Sequence, residues 1–170
     1  MAIDWNTLYR ETFPELVRFL HRKVWDPDRA RDLAQEAFVR ALTHRPESPR
    51  SWLFQVAANL ARDEARTALR RKKHLTLLAG DARGEAHAAD PAEELDRREA
   101  AERVRAALEA LTERDRDALL LKEAGMSYAE IAEQLELSVG SVGTTLARAR
   151  KRLAEAYGAQ DGEADDVARG

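Results

Sequence analysis

The chain has 170 residues, a formal net charge of −3, 44% hydrophobic and 35% charged residues, and no cysteine. That length fits one large or two small domains, and the composition combines enough apolar material for compact cores with the charged surface common on helices. The missing cysteines exclude disulfides and thiolate metal sites and are compatible with a reducing compartment.

The first expected helix covers residues 4–24, where Leu8, Phe13, Leu16, Val17 and Leu20 recur at helical spacing. Pro14 interrupts that pattern and predicts a break or kink near residue 13. Asp4 and Glu11 lie where a signal peptide would be basic and then apolar. No apolar run in the chain approaches the ~20 residues that span a bilayer. A soluble cytoplasmic protein with no membrane insertion is therefore expected. Asp26-Pro27 reads as an N-cap followed by proline at the first helical position, opening a helix to about residue 43. Its inward stripe is Leu33, Ala34, Ala37, Phe38, Ala41 and Leu42.

Residues 44–49 form a loop, and Ser48-Pro49 repeats the cap-plus-proline start for a third helix to about residue 73. Trp52, Leu53, Val56, Leu60 and Ala57 are expected to face inward. Residues 74–91, broken by Gly80 and Gly84 and ended by Pro91, change character and read as a linker. Periodicity resumes near residue 92 and runs to Leu111. Thr112-x-x-Asp115 resembles a capping box with Asp in place of Glu, and Gly125 is placed to end the helix it opens. Ser127-x-x-Glu130 is a full capping box for a short helix through Leu135. Ser138 caps a last helix expected to stop at Gly158, followed by a disordered acidic tail, 158–170. The expected fold is all-α: an N-terminal helical bundle, 1–73, a flexible linker, 74–94, and a C-terminal helix-turn-helix bundle, 95–157.

Total charge argues against nucleic acid, but its distribution does not. Positive charge concentrates in residues 66–73 (RTALRRKK) and 148–152 (RARKR), and negative charge gathers in 81–102 and after Glu155. DNA responds to the local field. Two short helices joined by residues 136–138 have the size of a helix-turn-helix. Ile131, Ala132 and Leu135 lie on the first, Leu137 plugs the turn, and Val142 and Leu146 come from the second. Early exposed residues of the second helix would face base edges, while Arg148, Arg150, Lys151 and Arg152 could reach phosphates. An ordinary helical hairpin with solvated charges fits the same spacing.

Three segments carry a family resemblance. Residues 111–135 (LTERDRDALLLKEAGMSYAEIAEQL) resemble the promoter-binding C-terminal domain of sigma-70 family transcription factors. Residues 32–42 (DLAQEAFVRAL) are similar to the helix of the N-terminal domain that docks on RNA polymerase, and residues 51–66 (SWLFQVAANLARDEAR) to the adjacent −10-element helix. The short length and missing central domain point to the extracytoplasmic-function group. The resemblance implies a factor, itself not an enzyme and without cofactor or metal, that binds core RNA polymerase and promoter DNA and directs transcription initiation. It further implies that Asp32, Gln35 and Glu36 face the clamp coiled coil of the largest polymerase subunit, with the flap as a second contact. Asn59, Arg62, Asp63, Arg66, Arg70 and Arg71 would serve the −10 element, Lys72 and Lys73 would add phosphate attraction, and the 44–50 loop would hold a flipped base. Trp52, at the start of an apolar stripe, is assigned to the core instead of base stacking. Ser141, Thr144, Thr145, Arg148, Arg150 and Lys151 would serve the −35 element. An anti-sigma factor is an expected partner, and Asp81, Glu85, Asp90, Glu93 and Glu94 resemble an acidic connector that threads toward the polymerase cleft.

The chain departs from the family pattern where a basic residue usually follows the valine matched by Val142 and arginine commonly stands two positions later. Here those positions are Gly143 and Thr145, with Ala147 beyond. Readout can then rest on shape and phosphates through Ser141, Thr144 and Arg148, or Gly143 can permit a close backbone approach to DNA. Two other function classes fit the sequence less well. A stand-alone helix-turn-helix regulator would have no use for the 32–42 and 51–66 segments. An enzyme finds no support in His21, His44, His74 and His87, which lack metal-ligand spacing, nor in any phosphate loop or nucleophile motif.

Overall fold

The computed structural model describes residues 2–75 and 91–167. Among these residues there are seven helices and no strand: α1 (Trp5–Val24), α2 (Pro27–His44), α3 (Pro49–Leu75), α4 (Pro91–Glu109), α5 (Glu113–Glu123), α6 (Tyr128–Leu135) and α7 (Val139–Val167). Helices α1–α3 pack on one another as one compact unit, and α4–α7 as a second.

Local side-chain chemistry starts several of these helices. Asp4 accepts from the backbone N–H groups of Asn6 and Thr7 at 3.1 and 3.3 Å, and Asp26 from those of Asp28 and Arg29 at 3.0 and 3.1 Å. Each cap satisfies donors that the first helical turn leaves unpaired. Ser127 and Glu130 form both bonds of the capping box, at 3.2 and 2.8 Å. Thr112 Oγ1 accepts from the Asp115 N–H at 3.2 Å, but the shorter Asp115 side chain turns elsewhere.

In the first unit α1 contributes Thr12, Leu16, Phe19 and Leu20 to the core, α2 contributes Ala30, Leu33, Ala34, Ala37, Phe38 and Ala41, and α3 contributes Leu53, Phe54, Ala57, Leu60 and Ala61. The small residues of α2 allow close approach of its neighbours. Arg29 ties α2 to α3 through a two-pronged pair with Glu64, Nε and Nη2 donating at 2.9 and 2.7 Å. The second unit buries Ala107, Leu108, Leu111, Ala118, Leu120, Leu121, Ile131, Ala132, Val142, Leu146 and Ala149.

Several expectations require correction. Helix α1 runs through Pro14 without interruption. Proline removes one N–H, but burial of Leu16, Phe19 and Leu20 beyond it outweighs a single lost bond. Leu42 is exposed at 52%, because α2 turns it away from the stripe ending at Ala41. Trp52 and Val56 are half-buried, while Phe54 and Ala61 occupy core positions that were not expected. Helix α4 starts at Pro91, so Glu93 and Glu94 belong to its first turn, pairing with Arg97 and Arg98 at 3.4 and 3.0 Å. Asp81, Glu85 and Asp90, and with them the tether and its acidic connector, lie outside the described residues.

Helix α7 does not stop at Gly158 but reaches Val167, where a disordered tail was expected. Glycine weakens a helix by only about 1 kcal/mol relative to alanine. Beyond it Gln160 donates its amide to the Arg103 carbonyl at 3.1 Å and to the Ala156 carbonyl at 3.3 Å, while the Arg103 guanidinium lies 4.9 Å from the centre of the Tyr157 ring. These contacts with α4 carry the helix past the glycine.

Candidate polymerase-binding and nucleic-acid interfaces

On α2 the buried residues mark one face, and the opposite face carries Asp32, Gln35, Glu36 and Val39, which helical geometry places within an arc of about 100°. The Asp32 carboxylate is 61% exposed and its nearest cation, Arg29 Nη1, stands 3.6 Å away while bonding chiefly to Glu64. Glu36 accepts from Arg40 one turn on, at 2.5 Å. Val39 was not singled out from the sequence, yet it is 62% exposed and lies one turn beyond Gln35 and Glu36 on the same face, opposite the core. An apolar side chain held in water at that place adds a hydrophobic contact to an otherwise acidic surface. The signal for it was a valine out of phase with the inward stripe.

On α3, Asn59, Asp63, Arg66 and Arg70 lie within about 40° of one line along the helix, on the side away from Leu53, Ala57, Leu60 and Ala61. Trp52 falls on the same line. Half-buried, it sits with its ring centre 5.5 Å from that of His44, so the assignment of Trp52 to the core is corrected. Arg62 lies about 80° to one side of the line and donates to Asn59 Oδ1 at 3.1 Å, while Arg71 lies about 100° to the other. Arg66 and Asp63 pair loosely at 3.9 Å. Arg66, Arg70, Arg71 and Lys73 are all exposed and give the last turns of α3 a basic surface.

The pair α6–α7 has the geometry of a helix-turn-helix. Glu136 in the turn adopts the left-handed conformation, φ 54°, and the Leu137 N–H closes on the Ala132 carbonyl at 2.8 Å. Ile131, Ala132, Val142 and Leu146 form the buried seam, with Leu135 and Leu137 half-buried beside it. Of the residues predicted for the second helix, Ser141, Thr144, Arg148 and Lys151 share an exposed arc of about 80°. Thr145 does not join them: at 5% exposure it belongs to the core, because it lies beside Val142 and Leu146 on the inner face. Arg150 points to the other flank, where it lines an apolar groove with Val104, Ala107, Leu153, Ala154 and Tyr157. Gly143 lies inside α7, and a Cβ placed there would meet Tyr128 Cε2 at 3.7 Å, an ordinary contact.

The strongest charge interaction of the second unit lies beside this face. Asp115 is fully buried at the start of α5, and its two oxygens accept from Arg148 Nη2 at 2.9 Å and Arg152 Nη1 at 2.5 Å. Burial alone would raise the Asp115 pKa, but the two guanidinium bonds, with help from Thr112, override it and hold the carboxyl below its ordinary value.

Two family profiles match the chain: "Sigma-70 region 2" over residues 8–73, and "Sigma-70, region 4" over residues 101–153. The RNA polymerase sigma factor YlaC of Bacillus subtilis is 33% identical over 159 residues, covering 86% of this chain and 87% of that one. The chain belongs to the extracytoplasmic-function sigma factors of the sigma-70 family. The ECF RNA polymerase sigma factor SigM of Bacillus subtilis is 32% identical, with 92% and 96% covered, and the ferric citrate uptake sigma factor FecI of Escherichia coli 30% identical, with 87% of each covered. A solved structure of the sigma factor RpoE from Bartonella quintana, in complex with the anti-sigma factor NepR, shares the fold with a TM-score of 0.66 at 21% identity, covering 91% of this chain and 97% of that one. This sigma factor therefore directs transcription initiation at promoters. A stand-alone helix-turn-helix regulator is not favoured, since the region 2 match occupies α1–α3. No described helix is long and apolar enough to cross a membrane.

Proposed function

We propose that this sigma factor joins core RNA polymerase through the α2 face of Asp32, Gln35, Glu36 and Val39, which meets the basic clamp coiled coil of the largest subunit. The −10 element is read by the α3 line of Trp52, Asn59, Asp63, Arg66 and Arg70, with Arg62 and Arg71 flanking it. The −35 element is held by Ser141, Thr144, Arg148 and Lys151. The single observation that carries this assignment is that each set converges on one exposed face of its helix, opposite a packed core. The apolar groove between α4 and α7, with Arg150 at its edge, has the character needed to seat the polymerase flap. The factor itself performs no catalysis, works in the cytoplasm and is held in check by an anti-sigma factor, the class of partner carried by its structural relative from Bartonella quintana.

The test is charge reversal on α2. Asp32 and Glu36 are exposed, and surface pairs of this kind contribute at most about 1 kcal/mol to stability. The variant D32K/E36K should therefore fold normally, fail to co-elute with core polymerase and fail to support promoter-specific initiation. A folded D32K/E36K protein that still forms active holoenzyme would remove α2 from the interface.

A further inference from the structure

Charge balance around Asp115 is uneven. One buried carboxylate needs one cation to neutralise it, yet two arginines, one turn apart on α7, each donate to a different oxygen. The surplus is one positive charge. It stays in contact with solvent, since the Arg148 and Arg152 side chains are 46% and 48% exposed while that of Asp115 is 1% exposed. Each guanidinium carries five N–H groups in a rigid fork. Engaging one nitrogen with a fixed acceptor leaves donors on the exposed edge, held in one orientation. Arg148 and Arg152 lie on the same flank of α7 as Ser141.

We infer that Asp115 is a positioning residue for DNA binding: it holds Arg148 and Arg152 as a preformed two-arginine grip on the backbone phosphates beside the −35 element. This rests on the assignment of α7 to that element and adds Arg152 and Asp115 to it. Flexible arginines must be immobilised when they meet a phosphate, and a carboxylate that has already fixed them removes that cost. Asp115 itself touches no nucleic acid, being enclosed by protein.

The experiment uses holoenzyme assembled from the full chain and core polymerase. Binding to a promoter fragment mapped by its transcription start site is measured across a salt series. Four proteins are compared: wild type, D115N, R152A and D115N/R152A. R152A leaves Arg148 to satisfy the carboxylate, and D115N keeps the shape without the charge, so each single change limits damage to the fold. Thermal melting and core binding report folding in every case.

R152A should flatten the slope of log affinity against log salt by about 0.9, the effect of one lost phosphate contact. D115N should weaken binding about five- to thirty-fold, from the cost of immobilising two freed arginines, with the slope retained because both charges remain. In the R152A background the D115N effect should shrink to that of Arg148 alone, about two- to five-fold. Tighter binding by D115N would mean that the carboxylate sequesters the arginines instead of presenting them. An unchanged D115N factor in the R152A background would reduce Asp115 to a structural acid. Either result overturns the inference while leaving the family assignment and the polymerase interface standing. A wild-type holoenzyme that initiates but gains nothing from the −35 segment would overturn the α7 assignment and this inference together.

Discussion

Replacing Asp115 with alanine removes a buried carboxylate that joins α5 to α7. The structure sets the size of the loss. Two charge-assisted hydrogen bonds are each worth about 1.5–3 kcal/mol net. The arginine side chains are nearly half exposed, so on losing their acceptor they rehydrate, which halves the sum to about 1.5–3 kcal/mol. For a unit of this size that is a fall of roughly 6–24 °C in its melting temperature. The three tryptophans, Trp5, Trp25 and Trp52, all belong to the first unit, so their fluorescence follows α1–α3, while far-ultraviolet circular dichroism follows all helices. The Asp115→Ala change should move the dichroism transition of the second unit and leave the fluorescence transition in place. The sign with pH is also determined. A carboxyl whose pKa is lowered in the folded state contributes stability above its unfolded value, ~3.9, and that contribution disappears as pH falls through the folded value. Wild type and variant should thus differ fully at pH 7, still fully near pH 5, and converge in strong acid. A difference below 1 kcal/mol at pH 7, or one that persists undiminished at pH 2, would refute the reasoning.

Two further changes probe the helix-turn-helix. Gly143→Lys should be accepted, since its Cβ meets only Tyr128 at ordinary distance, and should favour α7 by up to about 1 kcal/mol. If readout rests on phosphates, the new cation steepens the salt dependence of promoter binding by about 0.9. Weaker binding at all salts would instead reveal that the bare backbone at Gly143 approaches DNA. Glu136→Gly relieves a left-handed residue that bears a Cβ, and should stabilise the second unit by about 0.5–1 kcal/mol in urea titration; a loss of stability would mean that the Glu136 side chain supports the turn.

The parts of the fold legible in advance were those whose cause lies within four residues. Asp26, Thr112 and Ser127 each bond a backbone N–H two or three positions on, so the residue type and its place before an apolar run suffice to locate a helix start. Interactions across 33 to 37 residues left no such trace. Nothing local distinguishes Glu64 from any exposed glutamate until Arg29 is found beside it. Asp115 read as an imperfect capping box, and only α7 shows why an aspartate stands there. Pro14 and Gly158 mislead for the complementary reason: local breakers of modest cost yield to packing that involves distant residues.

The functional faces expose a second boundary of sequence reasoning. A set of candidate residues becomes a site only when the helix brings them to one side, and one residue of drift is about 100°. Of the −10 set, residues 59, 63, 66 and 70 follow helical spacing and even collect Trp52, while Arg62 and Arg71 fall to either side. The −35 set does not: Thr145 turns into the core and Arg150 to the groove beside α4. What remains on the outward arc of α7 is Ser141, Thr144, Arg148 and Lys151, separated by Gly140, Gly143 and Ala147. Such a surface is rich in hydroxyls and cations, and its one arginine already commits a nitrogen to Asp115. It is suited to hold a phosphate backbone of favourable shape more than to choose among bases. On the proposed sites, discrimination between promoters then falls chiefly to the α3 line and the loop before it, and α7 supplies affinity that weakens steeply with salt.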